Sequence, residues 1–270
     1  MNEIKIHILH CGRIWTDISV PEGRGKMVSP VTLMRNKKNR VCYPVSAYLI
    51  EHPKGNVLFD TGWNREVRTN QEEYLGPVLS RMMTAELPEG EAVDEQLAAR
   101  GFMPTDLDYI VLSHMDADHI SGLKMLGGAK NVLVSKSEAE AAKKLNPRYH
   151  RPMWSGVKIK TFRYTEPDYG PFNRYLDLFG DGTVLLSDMN GHSVGQTALT
   201  VQREGKYAVF FADAGYSSYA WKNLTLPGLL SGVDNARKCI LWIRDTSMRP
   251  NCVGSFANHD PEVEPQTIII

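Results

Sequence analysis

Four potential metal ligands, His114, Asp116, Asp118 and His119, fall within six residues directly behind the apolar run Tyr109-Ile110-Val111-Leu112. Such a run suits a buried strand, so a strand that feeds a tight loop is expected here. Alternating side chains on that loop can be aimed into one cavity. Imidazole and carboxylate together suit zinc, iron or manganese, and ion pairs about 3.5–4 Å apart are typical of hydrolytic centres. Further ligand types stand past other strand-like runs or within turns. They are His192 in Gly191-His192-Ser193, Asp213 in Phe211-Ala212-Asp213-Ala214-Gly215-Tyr216, and His259 in Ala257-Asn258-His259-Asp260-Pro261. Strand-to-loop junctions are where function tends to collect.

The rest of the chain is consistent with such a frame. β-rich runs at residues 4–10, 45–50 and 56–59 come early, the last two separated by the hairpin signal His52-Pro53-Lys54-Gly55. Helical spacing follows over 72–83 and 93–100, with Gly101 as a stop, and again over 137–145, ended by Asn146-Pro147. Strand-like runs recur at 184–186, 198–201, 207–211 and 252–256, with a helix over 234–244. Residues 21–40, rich in Gly, Pro, Lys and Arg, read as a long exposed loop. This order implies two sheets with helices outside, and no linker divides the chain, so one domain over residues 1–270 is expected.

Lysine plus arginine equals aspartate plus glutamate, 31 each, which argues against a nucleic-acid partner. No apolar stretch is long enough to span a membrane, and the first residues lack a secretory pattern. A cytoplasmic protein with no membrane partner is expected. Cys11, Cys42, Cys239 and Cys252 form no C-x-x-C pair and read as buried apolar residues in a reducing compartment.

The sequence His114-Met115-Asp116-Ala117-Asp118-His119, followed at a distance by His192, Asp213 and His259, resembles the H-x-H-x-D-H signature of the metallo-β-lactamase superfamily. Asp60-Thr61-Gly62 is similar to that superfamily's early D-T-G turn. Within it, Tyr216 three residues after Asp213, the Asn258-His259-Asp260-Pro261 run, and the approach from Gln96 to Asp108 resemble the N-acyl homoserine lactonase branch. The resemblance implies an α/β fold, an αββα four-layer sandwich, with two divalent metal ions at one sheet edge. It assigns His114, Asp116 and His192 to one ion, Asp118, His119 and His259 to the other, and Asp213 as the bridge. Zinc is the expected metal, with manganese or iron as alternatives. The implied reaction is hydrolysis of a small-molecule ester or lactone, an N-acyl homoserine lactone first, by a hydroxide held between the ions. Tyr216 would donate to the developing oxyanion and Asp118 would pass a proton to the leaving alkoxide. A homodimer is compatible with this reading. Other esters, thioesters or β-lactams, and a non-catalytic binding role, stand as alternatives.

Asp116 departs from the pattern, standing where the signature has its second histidine. With three carboxylates and a hydroxide against two divalent ions, the site is expected to be formally neutral and less positive than its histidine counterpart. That predicts a shift away from zinc.

Two further features compete for a role. Gly191-His192-Ser193-Val194-Gly195 fits the G-x-S-x-G nucleophile elbow, but an elbow needs a helix next. The following Gln196-Thr197-Ala198-Leu199-Thr200-Val201 alternates as a strand instead. Seven aromatic residues crowd positions 149–175, where 9% aromatic content predicts two to three. They read as sheet packing first and as a pocket wall second, with Trp63, Tyr219 and Trp221 as further pocket candidates. His7, His10, His52 and His150 read as structural or solvated.

Overall fold

The computed structural model describes residues 3–23, 37–144 and 146–270. Fourteen strands form two sheets among these residues. The first contains β1 (Lys5–Asp17), β2 (Arg40–Glu51), β3 (Asn56–Phe59), β4 (Thr84–Glu86), β5 (Leu107–Val111), β6 (Val132–Ser135), β7 (Ile159–Phe162) and β14 (Thr267–Ile269). Their order is β14-β1-β2-β3-β5-β6-β7, with β4 paired to β1. The second contains β8 (Glu166–Pro167), β9 (Arg174–Asp177), β10 (Val184–Asp188), β11 (Thr197–Arg203), β12 (Lys206–Phe210) and β13 (Cys252–Phe256), in the order β13-β12-β11-β10-β9-β8.

Period-two alternation explains why the sheets stack. On β1 to β3, Ile6, Ile8, Tyr48, Ile50, Val57 and Phe59 face one way and meet Val184, Leu186, Leu199, Val201 and Phe210 of the second sheet. The Tyr48 ring lies 4.5 Å from that of Phe210. The intervening residues Leu9, Val45, Ala47, Leu49 and Leu58 face the other way, against Leu75, Leu79, Val93 and Leu97 of the helices Gln71–Met82 and Val93–Ala99. The second sheet is covered likewise by Val233–Ser247, whose Ala236, Ile240 and Ile243 pack on Val209 and Phe211. The result is the αββα sandwich expected from the sequence.

Most sequence-derived elements lie within a few residues of their observed positions. The hairpin, the helices near 71, 93, 136 and 233, and the strands near 109, 184, 198, 207 and 252 are all present. The opening strand is longer than expected, because a bulge between His10 and Arg13 lets β1 continue to Asp17. The short strands β4, β6, β7, β9 and β14 and the helix Ser218–Asn223 carry too little pattern to be read locally. The loop expected at residues 21–40 falls mostly outside the described residues, as does the last residue of the helix expected over 137–145. No helix among the described residues is long and apolar enough to cross a membrane.

One helix has a break that shapes the site. In Gln71–Met82, Gly76 adopts φ +73° and is followed by Pro77. A left-handed glycine before a proline interrupts the helical ladder. The segment beyond it carries Val78, Leu79, Met82 and Met83 to the wall of a cavity that also borders Asp116, Asp118 and Asp213.

Candidate metal centre

β3 and β5 run parallel in one sheet, and β10, β12 and β13 run parallel in the other. Their C-terminal ends gather at one edge of the sandwich. From there come Asp60 (after β3), His114 to His119 (after β5), His192 (after β10), Asp213 (after β12) and His259 (after β13). Backbone bonds between the sheets close this edge, from Thr197 N–H to the Ser113 carbonyl and from Ser46 N–H to the Asn258 carbonyl.

All seven expected ligands come together here. Three overlapping groups, His114–His119–Asp213, His114–Asp116–His192 and Asp118–His119–His259, each bring one ligand atom per residue within 4.8 Å of the others. His119 Nε2 lies 3.1 Å from Asp213 Oδ1, and His259 Nε2 lies 3.3 Å from both Asp118 Oδ2 and Asp213 Oδ1. His114, His119, His192, Asp213 and His259 are all 2% exposed or less. His114 Nε2, His119 Nε2 and Asp213 Oδ1 are buried with no hydrogen-bond partner among the described residues. Buried polar atoms are almost always satisfied, so orphaned imidazole nitrogens converging on an orphaned carboxylate oxygen fit a bound cation. The electrostatics agree. Burial opposes charging His259, yet Asp213 and Asp118 outweigh it and push its pKa up to about 10. Beside Asp118 and Asp213 the field accepts positive charge, whereas at His192 burial and then the Arg148 guanidinium push the pKa down to about 4.

Outer groups orient these side chains, as they do around metal ligands generally. Asp60, held at φ +62°, accepts from Ser113 N–H (2.7 Å), Ser113 Oγ (2.7 Å) and Asn258 Nδ2 (2.7 Å), and lies 2.8 Å from His119 Nδ1. His259 Nδ1 faces the Pro44 carbonyl at 2.8 Å. In each case Nδ1 is engaged and Nε2 is left for the centre.

Two functional residues escaped the sequence reading. Arg148 grips Asp116 with a two-pronged contact, Nε to Oδ1 at 2.5 Å and Nη2 to Oδ2 at 2.7 Å, and its Nη1 donates to the His192 carbonyl at 2.7 Å. Burial works against ionising Asp116, but the Arg148 guanidinium, ahead of His114, holds its carboxyl well below the usual carboxylate range. The expected formally neutral site is therefore corrected: the guanidinium cancels the extra carboxylate, and the formal charge is that of a site with a neutral ligand at position 116. The only available signal was a carboxylate standing where the pattern has an uncharged ligand, which demands a cation that spacing cannot locate. The second residue, Glu138, is fully buried and accepts from Met115 N–H, Tyr149 Oη, Ser193 Oγ and Gly195 N–H. Nothing in its alanine- and lysine-rich helix marks it.

This bonding also disposes of the serine elbow. Ser193 Oγ is buried and donates to Glu138 at 2.9 Å, and the chain continues into β11. Gly195 serves close approach, since a Cβ there would lie 2.2 Å from Glu138 N.

The cavity over the centre, about 260 Å³, has Asp116, Asp118, Arg148, Asp213 and Tyr216 at its polar end. Ile14, Val20, Leu79, Met82, Leu229 and Leu230 are among its apolar walls. Tyr216 stacks on His259, with ring centroids 5.0 Å apart. Burial first, and then the charges of Asp213 and Asp118, push its pKa well above the ordinary phenol value, so it stays a proton donor. None of the seven aromatics at 149–175 lines this cavity. They pack in the cores or bond to strands, as Tyr164 does to Thr197 and Tyr169 to Thr200. Trp63 is buried and donates to the Arg13 carbonyl, Trp221 packs against Phe211, and Tyr219 is exposed. His7, His10, His52 and His150 lie outside the ligand groups. All four cysteines are free, two of them buried.

The two sheets, the outer helices and the ligand cluster at one edge define an αββα protein of the metallohydrolase class. Residues 40–235 match the metallo-beta-lactamase superfamily, and the chain belongs to that superfamily. It is 25% identical over 274 residues to the N-acyl homoserine lactonase AttM of Rhizobium radiobacter, covering 97% of this chain and 95% of that protein. It is 27% identical over 179 residues to the N-acyl homoserine lactonase AiiA of Bacillus thuringiensis subsp. kurstaki, covering 64% of this chain and 65% of that one. Among solved structures it is similar to an N-acyl homoserine lactone hydrolase with N-hexanoyl-L-homoserine bound at its catalytic metal centre. The TM-score there is 0.77, with 22% identity and coverage of 97% of this chain and 95% of the other. It is also similar to AidC, a dizinc quorum-quenching lactonase, at a TM-score of 0.63 and 16% identity, covering 100% and 95%.

Proposed function

We propose that this protein is a metal-dependent lactonase that opens N-acyl homoserine lactones. The observation that carries the reading is one cavity with an unsatisfied histidine–carboxylate cluster at its polar end and long apolar walls beside it. A compact polar ring with an acyl tail has that same division. Similarity to lactonases over nearly the whole chain supports the substrate class.

In this reading His114, Asp116 and His192 would hold one divalent ion, Asp118, His119 and His259 would hold the other, and Asp213 would serve both. Zinc is the proposed metal, with manganese or iron as alternatives. When bound, such ions make hydroxide available near neutral pH and polarise a carbonyl. The chain's own residues do the rest. Tyr216 donates a hydrogen bond to the carbonyl oxygen as it gains charge, Asp118, ionised beside His119 and His259, takes up the proton lost by the attacking oxygen and passes it to the leaving alkoxide, and the apolar walls exclude water from the acyl chain. The machinery occupies one domain spanning residues 1–270. The reading includes cytoplasmic residence, no nucleic-acid partner and homodimer assembly, which sedimentation of the purified protein tests.

The deciding measurement is turnover on lactones of graded acyl length, with thioester and β-lactam controls, and with metal content determined on the same preparation. Met82→Trp, which narrows the apolar wall, is expected to raise KM for long-chain lactones by roughly tenfold, given about 1–3 kcal/mol per mismatched hydrophobic contact. Short-chain lactones should be little affected. Equal effects on both would detach this cavity from the acyl chain, and turnover confined to thioesters or β-lactams would remove the lactone assignment.

Tyr216→Phe is expected to lower kcat by roughly tenfold with a smaller change in KM. Losing an oxyanion donor costs about 2.7–4 kcal/mol where it acts alone, and here it shares the charge with a metal ion. An unchanged kcat would remove Tyr216 from the reaction.

A further inference from the structure

We infer that Arg148 is a positioning residue for the metal centre, and that Asp116 and Arg148 act as one charge-neutral unit in the first ligand pocket. The inference rests on the metal-site reading above but not on the lactone substrate.

Three contacts carry it. Arg148 takes both oxygens of Asp116 in one fork, at 2.5 and 2.7 Å. A guanidinium fork fixes a carboxylate's plane as well as its position. The remaining Nη1 contact, to the His192 carbonyl, ties the same guanidinium to the segment bearing the second ligand of that pocket. Held this way, Asp116 Oδ2 lies 3.3 Å from His114 Nε2 and 3.2 Å from His192 Nε2. One oxygen therefore faces both the guanidinium and the imidazole pair, and among the described residues Arg148 is the one Lys or Arg paired with this carboxylate.

The charge consequence is specific. A lone carboxylate at position 116 would draw a divalent ion more strongly than a neutral ligand does. A lone guanidinium beside the same pocket would repel it. Together they contribute no net charge, so the pair substitutes for one uncharged ligand. The two positions should then be tolerated or lost as a pair. Replacing Asp116 alone strands a largely buried cation against a divalent ion, which at the effective dielectric of a protein interior costs roughly tenfold or more in ion affinity. Removing Arg148 from that same variant should recover the loss.

The test compares divalent-ion stoichiometry and affinity, by elemental analysis and competition with a chromogenic chelator. Wild type, Asp116→His and Asp116→His/Arg148→Met are loaded with zinc and, separately, with manganese. Thermal melts confirm that each is folded. Asp116→Asn, with and without Arg148→Met, gives an isosteric second background in case the histidine variant is unstable.

Asp116→His is expected to hold its first-pocket ion at least tenfold more weakly than wild type. The double variant is expected to return to within about threefold of wild type, and Asp116→Asn should be improved by Arg148→Met in the same direction. Losses that simply add, or an Asp116→His chain that binds both ions like wild type, would overturn the inference. A wild-type chain that takes up no divalent ion would overturn the metal reading and this inference with it. Two bound ions with uncoupled variants would overturn this inference alone. None of these readouts depends on which ester the protein hydrolyses.

Discussion

Exhaustive chelation is expected to abolish lactone hydrolysis, and adding back zinc, manganese, iron or cobalt is expected to restore it. The expected loss is roughly a thousandfold or more, because the proposed nucleophile is hydroxide made available by the ions. Bulk water has a pKa of about 15.7, and a bound divalent ion brings it to about 7. Ser193, the one hydroxyl in a nucleophile-like motif, is buried and committed to Glu138. Chelation should also lower the melting temperature. His114 Nε2, His119 Nε2 and Asp213 Oδ1 have no hydrogen-bond partner among the described residues, so an ion that binds only the folded chain stabilises it through mass action. Activity surviving verified metal removal and vanishing with Ser193→Ala would place the reaction on the serine instead.

Glu138→Leu is expected to produce a large loss of stability from a single substitution outside the ligand set. The carboxylate is fully buried and accepts four hydrogen bonds, from Met115 N–H (3.1 Å), Tyr149 Oη (3.1 Å), Ser193 Oγ (2.9 Å) and Gly195 N–H (2.9 Å). These donors belong to three separate segments, which carry His114 and Asp116, Arg148, and His192. Leucine fills similar space but leaves two backbone N–H groups that cannot turn to other partners. An unsatisfied buried donor costs about 1–3 kcal/mol, so a total of roughly 3–5 kcal/mol is expected. For a chain of this size that lowers Tm by roughly 6–20 °C. The same variant should loosen ion binding, because the three segments lose their common anchor. Measuring Tm with and without added zinc separates the two effects. A Tm within about 2 °C of wild type would show that Glu138 is not the anchor.

The ligands were legible because their chemistry is local. Four of them lie within six residues behind an apolar strand, Asp118 and His119 on the short helix Ala117–Ile120, and each of the other three stands beside a strand-to-loop junction that residue pattern alone marks. The sheets were legible for a related reason. Alternation at the start of β1 and the largely apolar runs of β2, β3 and β10 to β12, which the two layers bury on both faces, declare strands whatever packs on them. Short strands such as β4 and β14 were not, since three residues hold too little pattern and depend on the neighbour they join. The aromatic excess at 149–175 was visible, but its orientation was not. Only the stacked sheets decide that those rings fill cores while the cavity wall is built from Leu79, Met82 and Leu229. Asp116 marks the boundary most clearly. The sequence by itself determined that a carboxylate stands in the ligand loop, and so what atoms are offered. Only the tertiary structure decided its charge state and meaning, by bringing Arg148 against it across 32 residues of chain. Ion pairing depends on distance in space, and a guanidinium anywhere in the sequence can satisfy it, so spacing carries no record of the partner.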